Sequence, residues 1–163
     1  MNQPVKPSGE YMRTELKPGD LNVFVEAIAH YFHQISAEDA QVRPSYLSDA
    51  GDARAGDYTG LIRISGQYQG KVYFSAPSAM LRHLLLSQGE TQHSEENLLD
   101  LVGEVANTLS GNARRYFGER FAISVPQTLR GAPRATTGRP FAIPLNWKKY
   151  NALLVVDVNP HGD

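Results

Sequence analysis

Between Ser94 and Gly118 the apolar residues recur at helical spacing, and this long run constrains whatever packs around it. At roughly 100° per residue, Leu98, Val102, Val105, Leu109 and Tyr116 form one stripe, and Asp100, Gly103, Glu104, Asn107 and Gly111 form another, almost opposite. A helix of this kind buries its first stripe in a core and leaves the second wet. Glu104 and Asn107 are three apart, so their side chains emerge as neighbours. The two glycines on the wet stripe are unusual. Each costs about 1 kcal/mol relative to alanine in a helix interior, and a merely solvated face gains nothing from them. They fit a face that another surface approaches closely around Glu104 and Asn107. The spacing predicts a docking face that carries a carboxylate and a carboxamide side by side.

The rest of the chain reads as one α+β domain over residues 20–163, preceded by an arm over residues 1–19 with a short strand around Tyr11 to Leu16. Asp20 is the expected N-cap of a first helix running to about Ile35. Its buried stripe would be Leu21, Phe24, Val25, Ile28, Phe32 and Ile35. An extended piece near Val42 to Leu47 and a breaker-rich stretch, Ser48 to Gly56, follow. From Tyr58 the period drops to two. Tyr58 to Ile64 and Lys71 to Ser75 predict a β-hairpin turning over Gly66 to Gly70. Pro77 opens a short helix to about Ser87. After the long helix come three extended segments, Phe121 to Leu129, Phe141 to Leu145 and Ala152 to Val158, with a Gly/Pro/Arg-rich loop from Arg130 to Pro140. This order predicts helices packed on one side of a largely antiparallel sheet.

Composition removes several function classes. A chain of 163 residues with 41% apolar and 20% charged residues can bury a core unaided. The net charge of −1 gives no global attraction for nucleic acid or an anionic membrane. The absence of cysteine excludes disulfides, thiolate nucleophiles and thiolate metal sites, and fits a cytoplasmic setting. The first twenty residues show no apolar signal core, and no window reaches the roughly 20 apolar residues of a bilayer span.

The run Gly103-Glu104-Val105-Ala106-Asn107, continuing as Ser110-Gly111-Asn112-Ala113, resembles the CheC, CheX and FliY family of chemotaxis phosphatases. The signature of that family is Asp or Ser, three residues, Glu, two residues, Asn, then a downstream Pro. Asp100, Glu104 and Asn107 fill the first three places, and Pro126 is the nearest downstream proline. The Gly-Asp-Tyr-Thr-Gly entry into the hairpin (Gly56 to Gly60) and the Ala-Pro-Ser-Ala helix start (Ala76 to Ala79) are similar as well. Only one Glu-x-x-Asn pair is present, since the first helix has Glu26 but Ala29 where an Asn would be needed. The pattern therefore resembles the single-site CheX branch.

That resemblance implies a CheC/CheX-like fold and a homodimer joined through the sheet. It also implies hydrolysis of the aspartyl phosphate of a CheY-like response regulator. Phosphoryl transfer asks a protein chiefly for positioning and charge neutralisation. A neutral carboxamide orients an attacking water without repelling the phosphoryl oxygens, so Asn107 takes that role and Glu104 pairs with a lysine of the partner. The catalytic pair is Glu104 and Asn107, with Asp100, Gly103 and Gly111 on the partner-binding face. The Mg²⁺ is expected on the phosphorylated partner, with no cofactor or metal of the chain's own. A non-catalytic adaptor of the same fold, binding a signalling or flagellar-switch protein, is the alternative.

Other polar residues carry blander readings. Asn112 borders the apolar stripe and suits packing or a hydrogen bond. Asp100 can also serve the first turns of the helix through the macrodipole. His30 and His33 lack the third ligand a metal site needs and read as ordinary helix residues. Arg114, Arg115, Arg130, Arg134 and Arg139 form either a basic patch for an acidic partner or a solvated rim. Trp147 and Tyr150 beside Lys148 and Lys149 fit a turn better than a stacking surface for nucleic acid.

Overall fold

A computed structural model describes residues 16–48, 56–133 and 140–160. Most of the expected arm and its strand around Tyr11 lie outside the described residues, but Leu16 is buried in the core. Helix α1 (Pro18–Ile35) begins three residues earlier than expected. Lys17, not Asp20, is its N-cap, and Pro18 opens it where a missing N–H costs nothing. Asp20 sits at the third helical position, where its carboxylate accepts the backbone N–H of Lys17 at 2.9 Å. A carboxylate serves a helix start from either place, so spacing alone did not separate them.

Two short strands, β1 (Gln41–Val42) and β2 (Tyr46–Leu47), lead to the hairpin of β3 (Tyr58–Gly66) and β4 (Tyr68–Ala76). The β3–β4 ladder ends at the Ile64–Gly70 pair, so the chain reverses over Ser65 to Gln69, one residue before the expected Gly66 to Gly70, with Gly66 at φ +98. Helix α2 (Ser78–Ser87) and helix α3 (Glu95–Phe117) follow. The Ser94 hydroxyl caps α3 by accepting the Asn97 N–H at 3.2 Å, and Gly118 ends it at φ +92. The single strand expected over Phe121 to Leu129 is broken into β5 (Phe121–Ile123) and β6 (Gln127–Arg130). Pro126 has no N–H to give a ladder, and both halves still pair with β3. β7 (Phe141–Trp147) and β8 (Tyr150–Pro160) close the chain through a two-residue turn in which Lys148 has φ +55.

The strands form one sheet in the order β1-β7-β8-β4-β3-β5, with β2 also on β7 and β6 also on β3. Every pairing is antiparallel. The helices share one core with a single face of this sheet, including Phe24, Ile28 and Phe32 of α1, Val102, Val105 and Leu109 of α3, and Ile62, Val72, Phe74 and Leu154 of the strands. The opposite face carries its own buried cluster of Leu61, Tyr73, Ala142, Leu153 and Val155. Tyr116 leaves the predicted stripe: it is 58% exposed, and its hydroxyl donates to Asp20. Phe117 turns inward instead and stacks on Phe121 at 4.7 Å. Adjacent aromatics at a helix end compete for one place, and the ring that can stack on the sheet takes it.

Helix α3 approaches the sheet most closely above Gly60. A Cβ built there would fall on the carbonyl of Val102 and the Cα of Gly103, so β3 admits the helix only because residue 60 has no side chain. Gly60→Ala therefore overpacks the centre of the domain and is expected to cost about 1–3 kcal/mol. Urea unfolding should show a lower midpoint with an unchanged slope; a wild-type midpoint would contradict the close seating of α3.

Candidate active site

The outer surface of α3 presents the predicted polar residues. Asp100, Glu104 and Asn107 are exposed and Gly111 is half-buried, while Val102, Val105, Ala106 and Leu109 beneath them are fully buried. A rigid, core-anchored helix thus holds the carboxylate and carboxamide at the surface. Among the described residues, none hydrogen-bonds the side chain of Asn107 or Glu104, so both side chains are available to a second molecule. Asp100 and Glu104 line a groove of about 290 Å³ together with Leu85 and Gln88 of α2, Glu90 of the connecting loop, and Asn97 and Leu101. Glu104 also faces α1. Burial raises the phenol pKa of Tyr31 well above its ordinary value, and the Glu104 carboxylate adds to that shift.

Gly103 departs from its expected role. It is buried, and a Cβ there would lie 2.9 Å from Cγ2 of Thr128 and 3.5 Å from Cβ of Pro126. The surface that approaches it is the chain's own β6. Gly111 differs: a Cβ there would meet nothing within 4 Å, and the residue borders a separate cleft with Arg114, Arg115 and Glu119. Of the two glycines, only Gly111 leaves open space on the outer face.

Several residues that frame the site were not singled out by spacing. Gly60 pairs with Thr128 and Tyr58 with Arg130, so the side chains of Thr128 and Arg130 turn toward α3. At the start of α3 the Arg130 guanidinium donates to Glu95 at 2.6 Å, and the Tyr58 hydroxyl donates to the other carboxylate oxygen at 2.9 Å. The Arg130 hydrogen bond, then that from Tyr58, hold the Glu95 carboxyl below its ordinary pKa, while Glu95 raises that of Tyr58. From this anchor β6 runs beside α3 to Gly103, where Pro126 packs one helical turn before Asn107 in the helix, and the next residue, Val125, is 80% exposed. Pro126, the nearest downstream proline to the signature residues, therefore packs against the helix at Gly103.

The remaining candidates lie elsewhere. Asn112 is half-buried in a groove between α1 and α3, with Glu26 and His30. His33 pairs with Asp39 at 3.0 Å. Arg130 serves the Glu95 pair, Arg114 and Arg115 are exposed at the end of α3, and Arg134 and Arg139 lie outside the described residues. Trp147 is fully buried and donates its indole N–H to the Ser36 hydroxyl and the Glu38 carbonyl, which fits the turn reading. Among the described residues, no helix is long and apolar enough to cross a membrane.

The sequence profile described as "Chemotaxis phosphatase CheX" matches residues 58–146, more than half of the chain. Comparison with curated proteins finds no match. Among solved structures, the chemotaxis protein CheX from Vibrio vulnificus is 22% identical with a TM-score of 0.74, covering 86% of this chain and 99% of that one. CheX from Desulfovibrio desulfuricans is 19% identical with a TM-score of 0.76, over 86% and 99%. A chain of the CheX-CheY-BeF3-Mg²⁺ complex from Borrelia burgdorferi is 12% identical with a TM-score of 0.70, over 85% and 96%. At these identities the structures speak for the fold.

The Glu95 anchor has a pH signature. Its carboxyl is depressed in the fold, so it contributes stability above the ordinary value of 4.5 and loses it as pH falls through the folded value. Glu95→Gln should lower the thermal midpoint at pH 7, with the gap to wild type closing below pH 4.5. A gap that stays constant down to pH 3 would contradict the pairing.

Proposed function

This chain belongs to the chemotaxis phosphatase CheX family, and on that premise we propose that it hydrolyses the aspartyl phosphate of a CheY-like response regulator. The observation that carries the proposal is the exposed Glu104 and Asn107 pair, unengaged by the described residues and backed by a fully buried helix stripe. An acyl phosphate already has a good leaving group. What accelerates its loss is a water held in line with the phosphorus, in a setting that does not add negative charge. The Asn107 carboxamide orients that water: its carbonyl accepts a hydrogen bond from the water, and the side chain carries no charge to repel the phosphoryl oxygens. Glu104 receives a lysine of the partner and fixes its register, with Asp100 extending the acidic surface beside it. Gly111 leaves room for the partner's loops.

The Mg²⁺ that neutralises the phosphoryl group belongs in this reading to the partner, as in the composition of the Borrelia burgdorferi complex, which holds CheX, CheY, BeF3 and Mg²⁺. A homodimer joined through the sheet is part of the same reading, and a cytoplasmic location follows from a response regulator as substrate.

The test is loss of phosphate from a phosphorylated, Mg²⁺-loaded response regulator. Wild type should accelerate it, and Asn107→Ala should remove at least about a hundredfold of that acceleration with an unchanged thermal midpoint, as expected for the loss of a water-positioning group. Glu104→Lys should raise KM at least about tenfold through like-charge repulsion with the partner lysine. Intact binding with no acceleration by wild type would favour the adaptor.

A further inference from the structure

The phosphatase reading leaves Gly103 without a role on the docking face, because β6 covers it. Two contacts fix β6 along α3. At one end Arg130 and Tyr58 hold Glu95 in the first turn of the helix. At the other, Cγ2 of Thr128 occupies the space where a residue 103 side chain would begin, with Pro126 beside it. Between them the strand is paired to β3, Gly60 against Thr128, and Gly60 in turn lies under Val102 and Gly103. Helix, central strand and edge strand therefore meet at one point where two of the three residues have no side chain. Beyond that point the chain continues as Pro126, beside Gly103, and the exposed Val125, and Gly103 is one helical turn before Asn107. Ser124 holds the far side of this ridge, donating its hydroxyl to the Val125 carbonyl and accepting the Arg63 N–H.

From this geometry we infer that Gly103 and Thr128 are positioning residues: their contact sets the level of the Val125–Pro126 ridge relative to the Asn107 carboxamide. The inference rests on the phosphatase reading. The ridge is the apolar side wall of the site. Pro126 brings no N–H that would compete for the water or the phosphoryl oxygens, and Val125 closes that flank against bulk water once the partner is seated. A side chain at residue 103 would push Cγ2 of Thr128, 2.9 Å from its Cβ, outward by about half an ångström to reach ordinary van der Waals separation, and Pro126, already at an ordinary 3.5 Å, would shift only with the strand that carries both. Alanine is the better helix former, so the substitution separates positioning from stability.

Gly103→Ala, Thr128→Ser and their combination test this. Serine lacks the one methyl group that collides. For dephosphorylation of the Mg²⁺-loaded response regulator, Gly103→Ala should lower kcat about tenfold, as expected for sub-ångström misplacement. Its thermal midpoint should equal or exceed that of wild type, and its affinity for the beryllofluoride-loaded partner should stay within about twofold. In the double variant, Thr128→Ser should restore kcat from the Gly103→Ala level to that of Thr128→Ser alone. Arg130→Ala, which releases the other end of β6 at an exposed ion pair, should lower kcat in the same direction. Wild-type kcat in Gly103→Ala, a loss that follows the midpoint, or no rescue by Thr128→Ser would overturn the inference while leaving Asn107 its role. No acceleration by wild type would instead sink the phosphatase reading, and this inference with it.

Discussion

At Gly60 there is no side chain between β3 and α3, and the backbone of Val102 and Gly103 descends into that space. The rest of the architecture is arranged around this approach. Because the helix rests on the sheet, its lower stripe from Leu98 to Ala113 is buried. Because the helix is held, its outer stripe has a fixed height and direction. The same seat brings Thr128 against Gly103 and so ties the edge strand to the helix. Fold and candidate site meet at a single contact rather than in separate parts of the molecule.

The division of labour along α3 has a physical logic. Burial on one side supplies stability, so the opposite side need supply none, and among the described residues the side chains of Glu104 and Asn107 have no hydrogen-bond partner. A polar group that is already rigid and unpaired loses little entropy and no hydrogen bond when a second molecule engages it. The acidic first turn and basic last turn of the helix suit its dipole. Glu95 does double duty there, since the same carboxylate also anchors Arg130.

Periodicity made much of this legible beforehand. The buried stripe of α3, the exposure of Glu104 and Asn107, the hairpin from Tyr58 and the antiparallel sheet all follow from patterns of 3.6 and 2. The family resemblance then gave those side chains a chemistry that spacing could not. What remained hidden was set by non-local register. Gly103 lies only a small rotation from the exposed stripe, and whether it is wet or covered depends on where β6 runs. The Arg130–Glu95 pair is 35 residues apart in sequence and exists because Tyr58 pairs with Arg130. Tyr116 and Phe117 were exchanged for a similar reason, as the stacking partner Phe121 lies across a turn. Pro126 was legible as the nearest downstream proline but not as a neighbour of the helix, because the residue it packs against is a glycine 23 positions earlier.

The central claim is that a neutral amide at residue 107 steers water onto a phosphoryl group borne by another protein. Asn107→Asp keeps the shape of the side chain and adds a charge. With the Mg²⁺-loaded phosphorylated response regulator held at saturating variant, the claim predicts that phosphate loss falls back toward the rate of the regulator alone. A rate equal to that of wild type would show that neither the amide nor its neutrality matters, and would contradict the account.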